Sequence, residues 1–112
     1  MPHLRITGLD QAQVQTISTS LVDDLAPLAQ CPRDHFTLEL FPVQFIFDGQ
    51  LGANQYPMVD VFWFDRGQAV QDQIASVITA AVRQVMEDKT LDICVRFTPV
   101  NPANYYENGE HF

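Results

Sequence analysis

Pro2 offers more chemistry than any other residue in this chain. Its nitrogen is a secondary amine, which becomes a free base or nucleophile once Met1 is removed. Removal is the expectation, because the processing enzyme accepts a small second residue such as proline. An amine held in a desolvated pocket near other cations has its pKa pulled down. It can then be neutral near pH 7 and take a proton alpha to a carbonyl. The same amine could add water to an activated carbonyl or form an iminium with it. Such a base needs a partner that holds an acidic substrate, and guanidinium groups grip carboxylates bidentately. The chain has five arginines, Arg5, Arg33, Arg66, Arg83 and Arg96. Arg66 directly precedes a predicted helix, whose first N–H groups can share a bound carboxylate; a solvated residue near the cap is the plainer reading. Arg96 can instead pair with Glu39 or Asp92. Arg83 reads as the solvated side of its helix, and Arg5 as paired inside an assembly. Tyr105 and Tyr106 can close a pocket or supply a phenolic proton, although aromatic tails more often pack. His3, next to the base, can tune it or serve only as a strand residue.

Other chemistries find no support. Cys31 and Cys94 lie 63 residues apart, and His3, His35 and His111 are scattered singly, so neither a disulfide framework nor a metal site is expected. No cofactor motif is present. Six Lys+Arg against fourteen Asp+Glu give a net charge of −8. Such a surface repels phosphate backbones and anionic lipid, so nucleic acid and membranes are not expected partners. No stretch approaches the roughly 20 apolar residues of a transmembrane helix. The opening Met-Pro-His-Leu-Arg lacks the basic and apolar regions of a signal peptide, making cytoplasmic placement the expectation.

The elements that must position these residues follow from periodicity. Residues 2–7 alternate as a strand, with Leu4 and Ile6 on one face. Asp10 is placed to cap a helix striped by Val14, Ile17, Leu21, Leu25 and Leu28, with Pro27 and Pro32 marking its end. Residues 36–47 read as a strand in which Pro42 implies an edge, bulge or break. Residues 48–57 form a loop, followed by a strand at 58–65 and a helix over about 68–87. Val70, Ile74, Val77, Ile78, Ala81 and Val85 of that helix face inward. A last strand spans about 91–98, and the tail 101–112 has no period.

The 112 residues thus read as one domain ordered β-α-β-β-α-β. At an offset of 57 residues, Ile17, Leu21, Leu25 and Leu28 fall on Ile74, Ile78, Val82 and Val85, and Pro42-Val43 falls on Pro99-Val100. This register suggests a duplicated β-α-β unit, approximately 2–47 and 58–100. Two right-handed crossovers side by side predict an α+β fold, a four-stranded mixed sheet with both helices on one face. The other face would carry Arg5, Glu39, Asp60, Asp92 and Arg96 with Phe41, Phe62 and Phe64, and would be either solvated or shared with other subunits.

Pro2 behind the initiator Met, the duplicated unit, and the tail Val100-Asn101-Pro102-Ala103-Asn104-Tyr105 ending in Phe112 together resemble the tautomerase superfamily. The tail is most similar to its macrophage migration inhibitory factor-like members. The resemblance implies a homotrimer with sites at subunit interfaces, each using the amino-terminal proline without cofactor or metal. It implies a tautomerase or isomerase that moves a proton on a small 2-oxo or 2-hydroxy-enoic acid, with dehalogenation or decarboxylation as near neighbours. Arg66 falls where the superfamily often binds substrate. Arg96 falls where the cytokine-like members line a neighbour's pocket with asparagine, and Arg33 lies near their pocket lysine. Cys94 stands where those members place a tyrosine, and Leu9 where short-chain tautomerases place an arginine. Two other readings share the element order: a ferredoxin-like small-ligand-binding module, and a trimeric interaction protein of the same fold without catalysis.

Overall fold

Strand β1 (His3–Thr7) turns Leu4 and Ile6 into the core and His3, Arg5 and Thr7 away from it, as the alternation predicts. The computed structural model describes residues 1–112. Helix α1 (Gln11–Ala29) begins at a capping box in which Asp10 accepts from the Gln13 N–H and Gln13 accepts from the Asp10 N–H, each at 2.8 Å. Gln13 also donates to the Val85 carbonyl at 3.0 Å, joining the start of α1 to the end of α2 (Gln68–Val85). Contrary to the sequence expectation, Pro27 does not end α1 but lies inside it, and the helix closes at Gln30 in the left-handed conformation. The proline ring is exposed and sits in the last turn, where one backbone bond is lost just before the helix ends.

Strands β2 (Thr37–Leu40), β5 (Met58–Trp63) and β6 (Cys94–Pro99) complete a four-stranded mixed sheet in the order β2-β1-β5-β6. β1 runs parallel to β2 and β5 parallel to β6, while the central β1–β5 pair is antiparallel. The parallel outer pairs exclude the ferredoxin-like alternative, whose sheet is antiparallel throughout. Both helices pack on the Leu4/Ile6 face, where Ile17, Leu21, Leu25, Ile74, Ile78 and Val82 meet Val59, Val61 and Trp63 in one core. Each of these side chains contributes roughly 1.5–3 kcal/mol on burial. Gln11 and Gln68, like Thr37 and Cys94, open corresponding elements 57 residues apart.

The sequence drew some elements too long. The strand expected over 36–47 stops at Leu40, before Pro42. The end of that expected strand, as β3 (Ile46–Phe47), then pairs with β4 (Gln50–Leu51), within the segment expected to be loop, around Asp48-Gly49, both at positive φ. The tail repeats the device: β7 (Tyr106–Glu107) and β8 (Glu110–His111) turn at Asn108-Gly109. On the open face, register aligns Glu39, Arg5, Asp60 and Arg96 across four strands with alternating charge. Asp92 precedes β6 and does not join them. No helix is long and apolar enough to cross a membrane.

Gly8 ends β1 at φ +82°, and a Cβ there would stand 2.6 Å from the Tyr56 carbonyl oxygen and 2.9 Å from Pro57 Cα. Both neighbours are backbone, so neither can rotate aside. Gly8→Ala should therefore cost about 3 kcal/mol, combining left-handed strain with the clash. Urea unfolding measures this directly, and an unchanged midpoint would show that 56–57 yield freely.

Candidate functional site

Pro2 lies at the open end of β1, where its carbonyl accepts from the Thr37 N–H at 3.3 Å. The register that pairs His3 with Phe62 continues from Pro2 toward Trp63. Pro2 is fully buried, and Met1 is only 7% exposed. This end of the sheet meets the C-terminus of α1 and the segment 64–67 between β5 and α2.

Arg66 stands in that corner. Its Nε donates to the Ala29 carbonyl at 2.7 Å and an η nitrogen donates to the Phe64 carbonyl at 2.6 Å, with the guanidinium 5.7 Å from the Trp63 ring centre. A guanidinium has five N–H groups, so three remain for a ligand. Gly67, at φ +91°, lets the chain turn from Arg66 into α2, and its N–H is held by Asp65 at 2.8 Å. Cys31 lies in the same corner. Burial pushes its thiol pKa up, while Arg66 and then the amino-terminal charge oppose that shift. The Trp63 Nε1–H is the one buried side-chain polar atom without a partner in the chain.

On the other side of β1, His3 bonds through Nδ1 to the Thr37 hydroxyl and through Nε2 to the Tyr105 oxygen at 3.2 Å. Tyr105 in turn donates to Glu107 at 3.0 Å. Burial, then the amino-terminal charge, lowers the His3 pKa from its usual 6.5. Burial, then donation to Glu107, raises that of Tyr105. The Tyr105 ring packs edge-on against Phe64 and Phe112 at 5.4 and 5.1 Å.

Of the sequence-derived candidates, Arg66 and Tyr105 therefore come to the Pro2 end of the sheet. Arg33 does not: it folds back along α1, exposed, to pair with Asp23 at 2.7 Å and donate to the Thr19 carbonyl at 3.2 Å. Arg96 lies on the edge strand β6, on the open face, where it grips Asp60 bidentately at 2.7 and 3.0 Å rather than Glu39 or Asp92. Sequence reasoning missed Cys31, Thr37 and Glu107, because nothing in their spacing links them to Pro2. A cleft of about 740 Å³ opens at the opposite end of the sheet, lined by Asp10, Glu87, Asp88 and Asp92 and by no basic residue. It is the wrong sign for a carboxylate.

A search of the curated proteins finds no match. Solved structures do match. A protein of unknown function from Vibrio cholerae is 38% identical over 99% of this chain and 87% of its own, with a TM-score of 0.85. A DUF1904 domain from Sebaldella termitidis is 32% identical over the whole of both chains, with a TM-score of 0.87. A macrophage migration inhibitory factor-like protein from Entamoeba histolytica shares the fold at 15% identity over 99% and 98% of the two chains, with a TM-score of 0.76. So does a fused 4-OT, an asymmetric trimer, at 12% identity over 97% and 94%, with a TM-score of 0.81. The profile of DUF1904, a domain of unknown function, matches residues 1–111, and the chain belongs to that family, on the fold of the tautomerase superfamily.

Proposed function

We propose that this protein is a tautomerase-type isomerase acting on a small 2-oxo or 2-hydroxy-enoic acid, with Pro2, freed of Met1, as general base. The observation that carries the reading is the corner at the head of β1, where the buried Pro2 meets the segment that holds the half-buried Arg66 on the Ala29 and Phe64 carbonyls. A carboxylate bound by the three spare N–H groups of Arg66 would present its alpha carbon toward the Pro2 nitrogen. In the dienol direction the nitrogen takes the hydroxyl proton, the O–H electron pair becomes the C=O π bond, and the displaced C=C π pair takes the proton back from the nitrogen at carbon. The enzyme ends each cycle unchanged and needs neither metal nor cofactor. Tyr105 borders the site through its ring. Arg96 and Arg33 are held by Asp60 and Asp23 of their own chain, and their part in binding is to a neighbouring subunit's substrate in a homotrimer.

Intact mass of untagged protein before and after bromopyruvate tests the reading. The expected result is loss of Met1 and a single adduct on Pro2. The Cys31 thiol, held protonated by its burial, should react slowly at neutral pH. Retained Met1, or adducts confined to the cysteines, would leave Pro2 without a reactive amine. The non-catalytic trimeric reading would then stand, with the exposed Ile46, Phe47 and Leu51 of the β3–β4 hairpin as its apolar contact.

A further inference from the structure

We infer that His3 is a positioning residue: through Tyr105 it fastens the C-terminal tail to the strand that carries Pro2. The inference starts from the direction of one hydrogen-bond chain. Ionised Glu107 only accepts, so the single Tyr105 proton is committed to it. The Tyr105 oxygen must then accept from His3, which puts the ring proton on Nε2. In a neutral ring Nδ1 is left as an acceptor, and the Thr37 hydroxyl donates to it. Thr37, His3, Tyr105 and Glu107 therefore form one directed chain, with a single proton in each link and a carboxylate at its end.

This chain ties the tail, otherwise weakly joined, to the paired strands β1 and β2. Thr37 is on β2, His3 on β1, and Tyr105 and Glu107 on the tail. In the segment 101–112 only Tyr105 is even half-buried. The other attachments of the tail are Val100 N–H to the Trp63 carbonyl at its root, the Phe112 N–H turned back onto the Tyr105 carbonyl, and contacts among the Phe64, Tyr105 and Phe112 rings. A hairpin as short as β7–β8 is marginal alone in water. Its order at the Pro2 end of the sheet thus depends on the one place where a polar side chain of β1 grips it.

The charged groups facing His3 are the amino terminus, Glu39 on β2, Glu107 on β7 and Arg5 on β1. Protonating His3 gives Nδ1 a hydrogen that meets the Thr37 hydroxyl and sets a second positive charge beside the terminal amine. The folded-state pKa is below the usual 6.5, so the stability tied to the neutral ring is complete above 6.5. It falls as pH drops from there toward the folded value.

The test is amide hydrogen exchange across 101–112, with His3 followed by NMR titration, in His3→Leu, His3→Gln and Tyr105→Phe. His3→Leu and Tyr105→Phe should each speed tail exchange about tenfold, which corresponds to the loss of one or two hydrogen bonds, and leave α1 and α2 protected. His3→Gln, which keeps a donor near Tyr105, should recover most of the protection and abolish its loss below pH 6.5. Because the inference rests on Pro2 as the base, turnover is read separately. In active protein His3→Leu and Tyr105→Phe should raise KM about tenfold and hold kcat within twofold. Tail exchange unchanged in both variants overturns the fastening whatever the activity. A fall in kcat at constant KM overturns the positioning role. Altered tail exchange in protein that bromopyruvate never labels on Pro2 leaves the fastening intact and rejects the catalytic reading.

Discussion

Protein carrying an uncleaved peptide ahead of Pro2 should turn over a 2-hydroxy-dienoate about 10²- to 10⁴-fold more slowly than protein that begins at Pro2. The reason is electronic. With a residue attached, the proline nitrogen is an amide whose lone pair is delocalised into the carbonyl, so it has no basicity at any ordinary pH. Once processed, the same atom is a secondary amine, and its buried position favours the neutral form. Pro2→Ala should fall between these limits, because alanine keeps an amine but loses the ring that fixes its direction. The fold itself does not require the terminal amine, since Met1 is accommodated at 7% exposure with Pro2 already packed. Urea midpoints of extended and processed protein should accordingly agree closely, which separates a catalytic loss from an unfolding one. Equal turnover in the two forms would remove Pro2 from the mechanism.

How far the sequence reaches depends on whether a feature is local. The Asp10 cap, the Leu4/Ile6 face and the Ile74–Ile78 stripe rest on spacings of two to four residues, and all three are present. The Pro27 expectation failed because a proline in the last turn removes a single backbone bond just before the helix ends, and spacing alone does not say how far the helix runs past it. The hairpins at 46–51 and 106–111 were signalled by Asp-Gly and Asn-Gly but are too short for periodicity to detect. Strand parity put Arg96 on the correct face, yet its partner depends on inter-strand register. That register pairs it with Asp60, whereas parity alone offered Glu39 or Asp92. The link from His3 to Tyr105 spans 102 residues and exists only once the tail has folded back. Arg66 was read from its place before α2, but its two backbone acceptors were invisible because one lies at the far end of α1.

Those two acceptors make Arg66 the residue whose loss should be felt in both stability and binding. Ala29 is buried at the C-terminus of α1, where helix carbonyls lack partners of their own, and Phe64 follows the last residue of β5. Arg66→Ala leaves both carbonyls without their donor and uncovers one side of Trp63. Each charged hydrogen bond is worth about 1.5–3 kcal/mol, and partial exposure reduces that. A destabilisation of about 2–4 kcal/mol is expected, lowering the thermal midpoint by about 10 °C. Arg66→Lys should recover about half of this, since one ammonium can reach one carbonyl but cannot span two and still offer a fork to a ligand. For a carboxylate substrate, kcat/KM should drop about 100-fold in both variants, whereas the corresponding amide should show little difference between wild type and variant. Cys31 gives a third readout that is free of activity. Arg66 holds the thiol pKa down against its burial, so in folded Arg66→Ala the thiol should be alkylated more slowly than in wild type. Slower alkylation with unchanged carboxylate discrimination would show that Arg66 is a brace between α1 and β5 and no more. Slower alkylation together with lost discrimination would place the cation at the substrate.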